Sequence, residues 1–517
     1  MRISSTLFFQ TGLNSINAQQ SDLMHLYQQV GSGRRMVTPA DDPLSAAQAI
    51  NIRQSQSLNV RFGENRGVLK QNLGIEENTL FSVTTLLQDI KTRLIEAGNG
   101  TMSDADRATL GNVLSSARTN LLGLANATDG SGQYLFSGAR GDIPPFQDDN
   151  GSIEYKGDQF QRLIQADQTR RIAGSDVGTD VFNRAAPGTT GYISGADIGN
   201  GGTVVVSRPA ITDAHGSGVG HTYNIEFTSE SEYTVSVTDA DDNPIYSYDR
   251  TDYVPGSTET LNLEGGVQVA ISGTPVGGDK FVVEPISASP FTAVPQTTMA
   301  GAIIGTPRVS DSALVNENSI FGIQFDGAGQ YSVYRMNPND PTNITAGTLV
   351  PPPAPYVPGD LNTITLPDGM SLQMTGAVTA MDTVIVKPTP ATANTNLNIF
   401  DTLDRIIASL ENPIQGDAIN SAAFQNTLAS AIQRIDVNYN NVLTVRASVG
   451  ARMNEIDAID ANGSLRGLGY SSLLSKMEDL DYYSATAQLQ LRTSALEAAA
   501  LAFRKIQGTS LFNMGSN

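Results

Sequence analysis

The sequence predicts an α+β chain in which a long antiparallel helical coiled-coil bundle, built from both termini, carries two tandem β-rich domains inserted in the middle. Three observations lead there. Proline is nearly absent from the flanks: only Pro39, Pro43 and Pro413 lie outside the stretch from Pro144 to Pro390, which holds the other 21 of 24. Because proline breaks helix interiors, long helices are admissible in the flanks and not in the middle. Charge divides the same way, with 12 basic and 12 acidic residues over 1–145, 9 and 12 over 391–517, and 11 and 28 between, so most of the net charge of −20 falls on the middle. Finally, the flanks repeat apolar residues at helical spacing, whereas the middle repeats itself.

Each helix has its own pattern. Phe9, Leu13, Ile16, Gln20, Leu23, Tyr27 and Val30 are spaced four and three apart, a coiled-coil seam with one polar interruption, and predict a helix over about 4–30. Gly31 and Gly33 supply its break. Asp42 then caps a second helix with Pro43 at its first position. That helix continues through Ala46, Ile50, Leu73, Leu80, Val83, Leu87, Ile90 and Leu94, and Gly63, Gly67 and Gly74 are expected to weaken its middle. Ser103 or Asp104 caps a third helix with the seam Leu110, Leu114, Ala117, Leu121 and Leu124. Beyond the middle, Ile399, Leu403, Ile406 and Leu410 mark a short helix. Phe424, Leu428, Ala431, Ile435, Val442, Val445, Val449, Met453, Ile456 and Ile459 mark a long one. After an expected break at Asn462-Gly463, a last helix shows two neighbouring stripes. One is Leu473, Met477, Leu480, Ala487, Leu491, Ala498 and Leu501; the other is Leu489, Leu496, Ala499, Phe503 and Ile506. A single partner helix would not cover both. Domain ends are usually frayed and polar, so stripes this close to both termini are expected to pair with each other and then with neighbouring subunits.

The middle contains a duplication. Tyr223-Asn-Ile-Glu-Phe227 resembles Phe321-Gly-Ile-Gln-Phe325, and Tyr233-Thr-Val235 resembles Tyr331-Ser-Val333, both at an offset of 98. From Tyr253-Val-Pro-Gly256 against Tyr356-Val-Pro-Gly359 the offset is 103 and persists to Val282-Val-Glu-Pro285 against Ile385-Val-Lys-Pro388. Alternating apolar and polar residues with Gly, Pro and Asp at the turns indicate strands. The five-residue insertion is expected in a loop containing Pro351-Pro-Pro353. The expected organisation is a terminal coiled-coil domain of 1–40 with 465–517, a helical-bundle domain with a small β portion of 41–185 with 391–464, and β-rich domains at 190–295 and 300–390.

Chemistry is sparsely represented. With no Cys, no Trp and three His, disulfide scaffolds, thiolate metal sites and cysteine nucleophiles are excluded. Asp239-Ala-Asp241-Asp-Asn243 opens like a calcium loop, but Pro244 stands where the turn glycine belongs, so a solvated turn is the better reading. His215 and His221 read as surface-loop residues rather than zinc ligands, and His25 as a surface or packing residue. Asp41-Asp42 reads as a helix start rather than as paired acids. No residue is a candidate for catalysis, and no cofactor or metal is expected. An acidic middle disfavours nucleic acid and anionic membranes. The N-terminus lacks a signal-peptide pattern, which points to a cytosolic chain or one exported with its N-terminus intact.

Ser32-Gly-Arg-Arg35 with Pro39-Ala-Asp-Asp-Pro43, Asn126-Ala-Thr-Asp-Gly-Ser-Gly-Gln-Tyr-Leu-Phe-Ser-Gly138, Tyr155-Lys-Gly-Asp158 and the helix ending in Leu511-Phe-Asn513 resemble the flagellin-like family of bacterial flagellar proteins, nearest to members that join hook to filament. The resemblance covers roughly 1–185 and 391–517. It implies export through the flagellar type III apparatus without cleavage, an extracellular place in the flagellum, an export chaperone beforehand, and a homo-oligomeric ring between the hook-side junction protein FlgK and flagellin. On this reading Phe9, Leu13, Ile16, Leu23, Leu489, Leu496, Phe503 and Ile506 make subunit contacts, and Arg34, Arg35, Asp41 and Asp42 form the joint between inner and outer helical layers. The rivals are flagellin itself and a secreted β-rich adhesin, with an enzyme a distant third. Against flagellin stands Asp41-Asp42-Pro43-Leu44, where flagellins tend to have Asp-Asp-Ala-Ala-Gly.

Overall fold

The computed structural model describes residues 5–514 except 150, 188, 214–217, 239–243, 264, 287–290, 297–298, 300–301, 305–306, 310–318, 338–343, 345–346, 359, 361 and 389–396. The calcium-like turn at Asp239–Asn243 and His215 therefore lie outside the described residues, as do the side chains of Phe9 and Ile506. The fold is mixed α and β, with long helices at both ends and strands between them: α1 (Ser5–Ser32), α2 (Pro43–Ala97), α3 (Asp104–Ala125), the short α4 (Gly178–Phe182), α5 (Ile399–Glu411), α6 (Ala418–Glu478) and α7 (Tyr482–Met514). The chain divides into two compact units. One comprises Met1–Lys70, Leu163–Ile172 and Arg452–Asn517, and the other Gln71–Arg162 and Ala173–Ala451.

In the first unit α1 and α7 run antiparallel. The Phe503 ring lies beside Gly12, Arg492 pairs with Asp22 at 2.5 Å, and the Tyr482 hydroxyl reaches the Val30 carbonyl. Asp42 caps α2 as expected, accepting from the Ser45 amide at 3.1 Å behind Pro43. Helix α2 is continuous through Gly63, Gly67 and Gly74. One glycine expectation fails: α6 passes through Asn462-Gly463. The break lies instead at Asp479–Asp481, so Leu473 and Met477 belong to α6 rather than to the last helix. Gly463 is a packing residue: a Cβ there would come within 2.5 Å of Arg66 Nη2, and its carbonyl accepts from Asn59 Nδ2 at 2.8 Å. Arg66 is itself buried, bonded to Asp460 and to the Ala166 carbonyl. The hairpin of β3 (Leu163–Gln165) and β4 (Arg171–Ala173) is held by ion pairs of Arg170 with Glu455 and of Arg466 with Asp167.

In the second unit Ser103 caps α3 through a capping box with Asp106. Leu110, Leu114 and Leu121 of α3 are buried where it packs on α5, whose Leu403, Ile406 and Leu410 are buried in turn. On α6 the expected face is buried at Phe424, Leu428, Ala431, Ile435, Val442 and Val449. Strands β1 (Phe146–Asp149) and β2 (Ser152–Tyr155) close over an aromatic cluster in which the Phe146 ring meets Tyr155, Phe182 and Phe400 at centroid distances of 5.3 to 5.4 Å.

The duplication is reproduced strand for strand. In the first β-domain β5 (Tyr192–Ala196), β8 (Thr222–Phe227), β9 (Tyr233–Thr238), β10 (Pro244–Arg250) and β13 (Lys280–Pro285) form a sheet of order β10-β9-β8-β13-β5. It faces a second sheet of β6 (Val205–Val206), β7 (Ala210–Ile211), β11 (Thr258–Leu263) and β12 (Val267–Ser272). The second β-domain repeats this with β14 (Phe291–Pro295), β17 (Phe321–Phe325), β18 (Gln330–Arg335), β19 (Thr348–Pro355) and β22 (Thr383–Pro388) in the order β19-β18-β17-β22-β14. Its smaller sheet has β15 (Ile303–Ile304), β16 (Arg308–Val309), β20 (Asn362–Leu366) and β21 (Met370–Thr375). Details recur at the 103 offset. Tyr253 donates to the Gly273 carbonyl at 2.7 Å and Tyr356 to that of Gly376 at 3.0 Å. Pro351–Pro353 lie in edge strand β19, not in a loop; part of the insertion is a bulge there, Val350 and Ala354 standing opposite Val333 and Tyr331.

Two turn positions depart from the symmetry. Asp368 has φ of +59° and Met381 φ of +73° where the first domain has Gly265 at +99° and Gly278 at +102°. A side chain costs energy in this left-handed region, so Met381→Gly is expected to stabilise the second β-domain by about 1 kcal/mol after the entropy of glycine is counted. Urea denaturation checks it, and a lowered midpoint would contradict it.

Candidate assembly surface

The chain's four long helix ends in the first unit converge on one short segment. Gly33 ends α1 with φ of +69°, and a Cβ there would lie 3.0 Å from the Tyr482 hydroxyl, so glycine is required both by backbone conformation and by space. The next residues pair with the link between α6 and α7. The Arg35 amide donates to the Glu478 carbonyl at 2.7 Å, the Leu480 amide donates to the Gly33 carbonyl at 3.0 Å, and Arg34 forms a bridge with Asp479. The Arg35 guanidinium donates to the Met477 carbonyl from Nε at 3.2 Å and from Nη2 at 3.1 Å. That carbonyl is in the last turn of α6, where backbone acceptors lack helical partners and a positive charge suits the helix dipole. Arg35 also reaches Asp42 at 3.4 Å, so one side chain ties the end of α6 to the start of α2.

Asp41 organises the loop. Its carboxylate accepts from the Val37 and Thr38 amides at 2.8 Å each, from the Thr38 hydroxyl at 2.9 Å, and lies 3.1 Å from His25 Nε2 on α1. These bonds, the Thr38 amide foremost, hold its pKa down to about 2. Asp42 is lowered too, by the Ser45 hydroxyl, then by the Ser45 amide and Arg35. The structure thus brings Arg34, Arg35, Asp41 and Asp42 to one place, with the Arg34 side chain exposed. Reading the sequence missed their partners, Met477, Glu478 and Asp479, because it set the helix break at Asn462-Gly463. The available signal was Asp481, which caps α7 by accepting from the Tyr483 amide at 3.0 Å.

The apolar stripes separate into covered and bare ones. Ile16, Leu23, Leu489, Leu496 and Phe503 are half-buried, with α1 packed along α7, while Leu13 is 40% exposed. The other stripe of α7 stands open, with Leu491 72% and Leu501 65% exposed. On α1 Leu7, Met24 and Tyr27 are at least half exposed. Leu491 and Leu501 lie on a stripe expected to find partners but were not among the eight residues assigned to subunit contacts, and Leu7 and Met24 were on no expected stripe; a seam shared by two helices of one chain and a seam shared with another chain have the same spacing.

One expectation is overturned. His221 is not a surface-loop residue: it is 4% exposed in the first β-domain, and burial pushes its pKa down to about 4. It lies beside a hub in which the Tyr192 and Tyr223 hydroxyls both donate to the Gly218 carbonyl at 3.0 Å. Glycines around it in sequence suggested a loop, but those glycines allow close backbone approach. Among the described residues no group of three or more His, Cys, Asp or Glu is placed to hold a metal ion, and no helix is long and apolar enough to cross a membrane.

Comparison with known proteins bears out the resemblance read from the terminal residues. Residues 3–140 match the bacterial flagellin N-terminal helical region. The chain is similar to flagellar hook-associated protein 3 of Salmonella typhimurium, 34% identical over 197 residues, or 38% of this chain and 62% of that protein. It is also similar to flagellar hook-associated protein 3 of Escherichia coli, 34% identical over 183 residues, or 35% of this chain and 57% of that protein. The matched region thus spans less than two thirds of each relative's length. Among solved structures, FlgL of Xanthomonas campestris superposes with a TM-score of 0.52 at 21% identity, over 82% of this chain and 99% of that one, and supports the fold.

Proposed function

We propose that the chain is a structural component of the bacterial flagellum, acting at the hook-filament junction. In this reading it is exported uncleaved with the help of a chaperone and assembles as a ring through its terminal helices, joining a FlgK-type protein to flagellin. Residues 1–40 and 465–517 form the inner layer, and Phe9, Leu13, Ile16, Leu23, Leu489, Leu496, Phe503 and Ile506 contribute to its packing. Arg34, Arg35, Asp41 and Asp42 fix the joint to the outer helical layer. The observation that carries the reading is the bare stripe of α7 beside the covered one: Leu491 and Leu501 remain exposed after α1 has taken its place. Large exposed apolar residues in a row mark a surface meant for a partner, and burial of each contributes about 1.5–3 kcal/mol. Deleting the gene is expected to leave hooks without filaments and flagellin shed into the medium, seen by electron microscopy and by analysis of the culture fluid. Deleting residues 1–30 alone should give the same phenotype with a folded remainder. Unchanged motility in that truncation refutes the reading, and bare hooks without shed flagellin would favour the filament subunit.

A further inference from the structure

The first β-domain has a core of its own and a different kind of attachment to the helices. Seventeen buried residues from its two sheets and their connections, from Tyr192 to Val283, pack on one another. The apolar cluster at its base is small: Ile193, Ile286, Leu397 and Val437, of which only Val437 belongs to α6. Elsewhere α6 presents buried polar side chains, Asn426, Gln433, Arg434 and Asn438, all under a tenth exposed. Asn426 grips β6 at both backbone poles, donating to the Val204 carbonyl at 2.8 Å and accepting from the Val206 amide at 2.8 Å. Arg434 pairs with Glu284 of β13 in a buried ion pair.

These features set the balance. The domain's own fold is sustained by apolar burial, the strongest term available. Beyond that small apolar cluster, its attachment rests on a buried ion pair that roughly breaks even against its desolvation and on a few hydrogen bonds that water can replace. The chain also enters and leaves the domain at one point, since the Ile286 amide donates to the Gly191 carbonyl at 2.9 Å. The body can therefore turn about a single pivot without unfolding. The duplicate domain carries Lys387 where the first carries Glu284, so the ion pair with α6 is specific to the first.

We propose that the first β-domain is a reversibly docked body, held to α6 by a polar clasp of Asn426 and Arg434, which releases it intact so that the outer part of the molecule can swing. The chain has no cysteine, so fluorophores can be placed uniquely on Ile198→Cys, in the 96%-exposed turn after β5, and on Leu443→Cys of α6. Single-molecule energy transfer on the full chain is expected to show two distance populations. Arg434→Ala should raise the undocked fraction about tenfold, with hydrogen exchange of β8 and β9 unchanged. A single docked population that Arg434→Ala leaves in place overturns the proposal. So does a distance change accompanied by loss of protection in β8 and β9, which would mean that the domain unfolds rather than detaches.

Discussion

Phe227→Ala is expected to destabilise the first β-domain by about 3–5 kcal/mol, and Phe325→Ala the second by a similar amount. Both rings are buried at equivalent places. Phe227 meets Tyr233 and Tyr253 at centroid distances of 5.4 and 5.3 Å, and Phe325 meets Tyr331 and Tyr356 at 6.3 and 5.1 Å. Each truncation loses the transfer energy of the ring, leaves a cavity, and forfeits edge-to-face contacts. Domains of this size are stable by only about 5–15 kcal/mol, so either substitution removes a large share. Because each domain has its own core of seventeen buried residues, the effects should stay separate. Calorimetry of the full chain should show one transition moving to lower temperature in each variant while the helical signal near 222 nm melts as before. Should Phe227→Ala lower every transition together, the two cores are not independent.

Acid should weaken the first β-domain selectively, through His221. Its pKa is near 4 in the folded chain, against an ordinary value of 6.5. The unfolded chain therefore takes up a proton at a pH where the folded chain does not. Stability is fully present above about pH 6.5, falls as pH drops toward 4, and changes no further from this group below that. The full loss is roughly 3 kcal/mol. Carboxylates contribute little above about pH 5, so melting between pH 7 and 5 isolates the histidine. In His221→Gln the dependence of the first domain's transition on pH should flatten. An equal slope in wild type and variant would dismiss the histidine as its source.

Helix existence was legible because the signals were long and repeated. The seams on α3, α5 and α6 and the caps at Asp42 and Ser103 needed only local rules, and the structure keeps them. The duplication was legible because matched strands preserve order across a constant offset. What sequence hid was set by tertiary contact. Gly463 looked like a breaker until Arg66 was found against it, and Pro351–Pro353 looked like a loop until β18 was found beside them. His221 looked exposed because a Gly/Ser-rich segment has the same composition whether it faces water or folds under a sheet. At the joint, the residues on one side were visible as a motif. Their partners across the α6–α7 link are about 440 positions away and include backbone carbonyls, which carry no side-chain signature.

The prolines of β19 have one more consequence. They sit on the outermost strand of the sheet, and none of them has an amide hydrogen to offer. A neighbouring molecule that presented an extended segment there would find its carbonyls unanswered and the bulge between Val350 and Ala354 out of step with its own repeat. Copies crowded side by side at high local density are thereby denied a route to sideways fibre growth, and this holds however their helices are arranged.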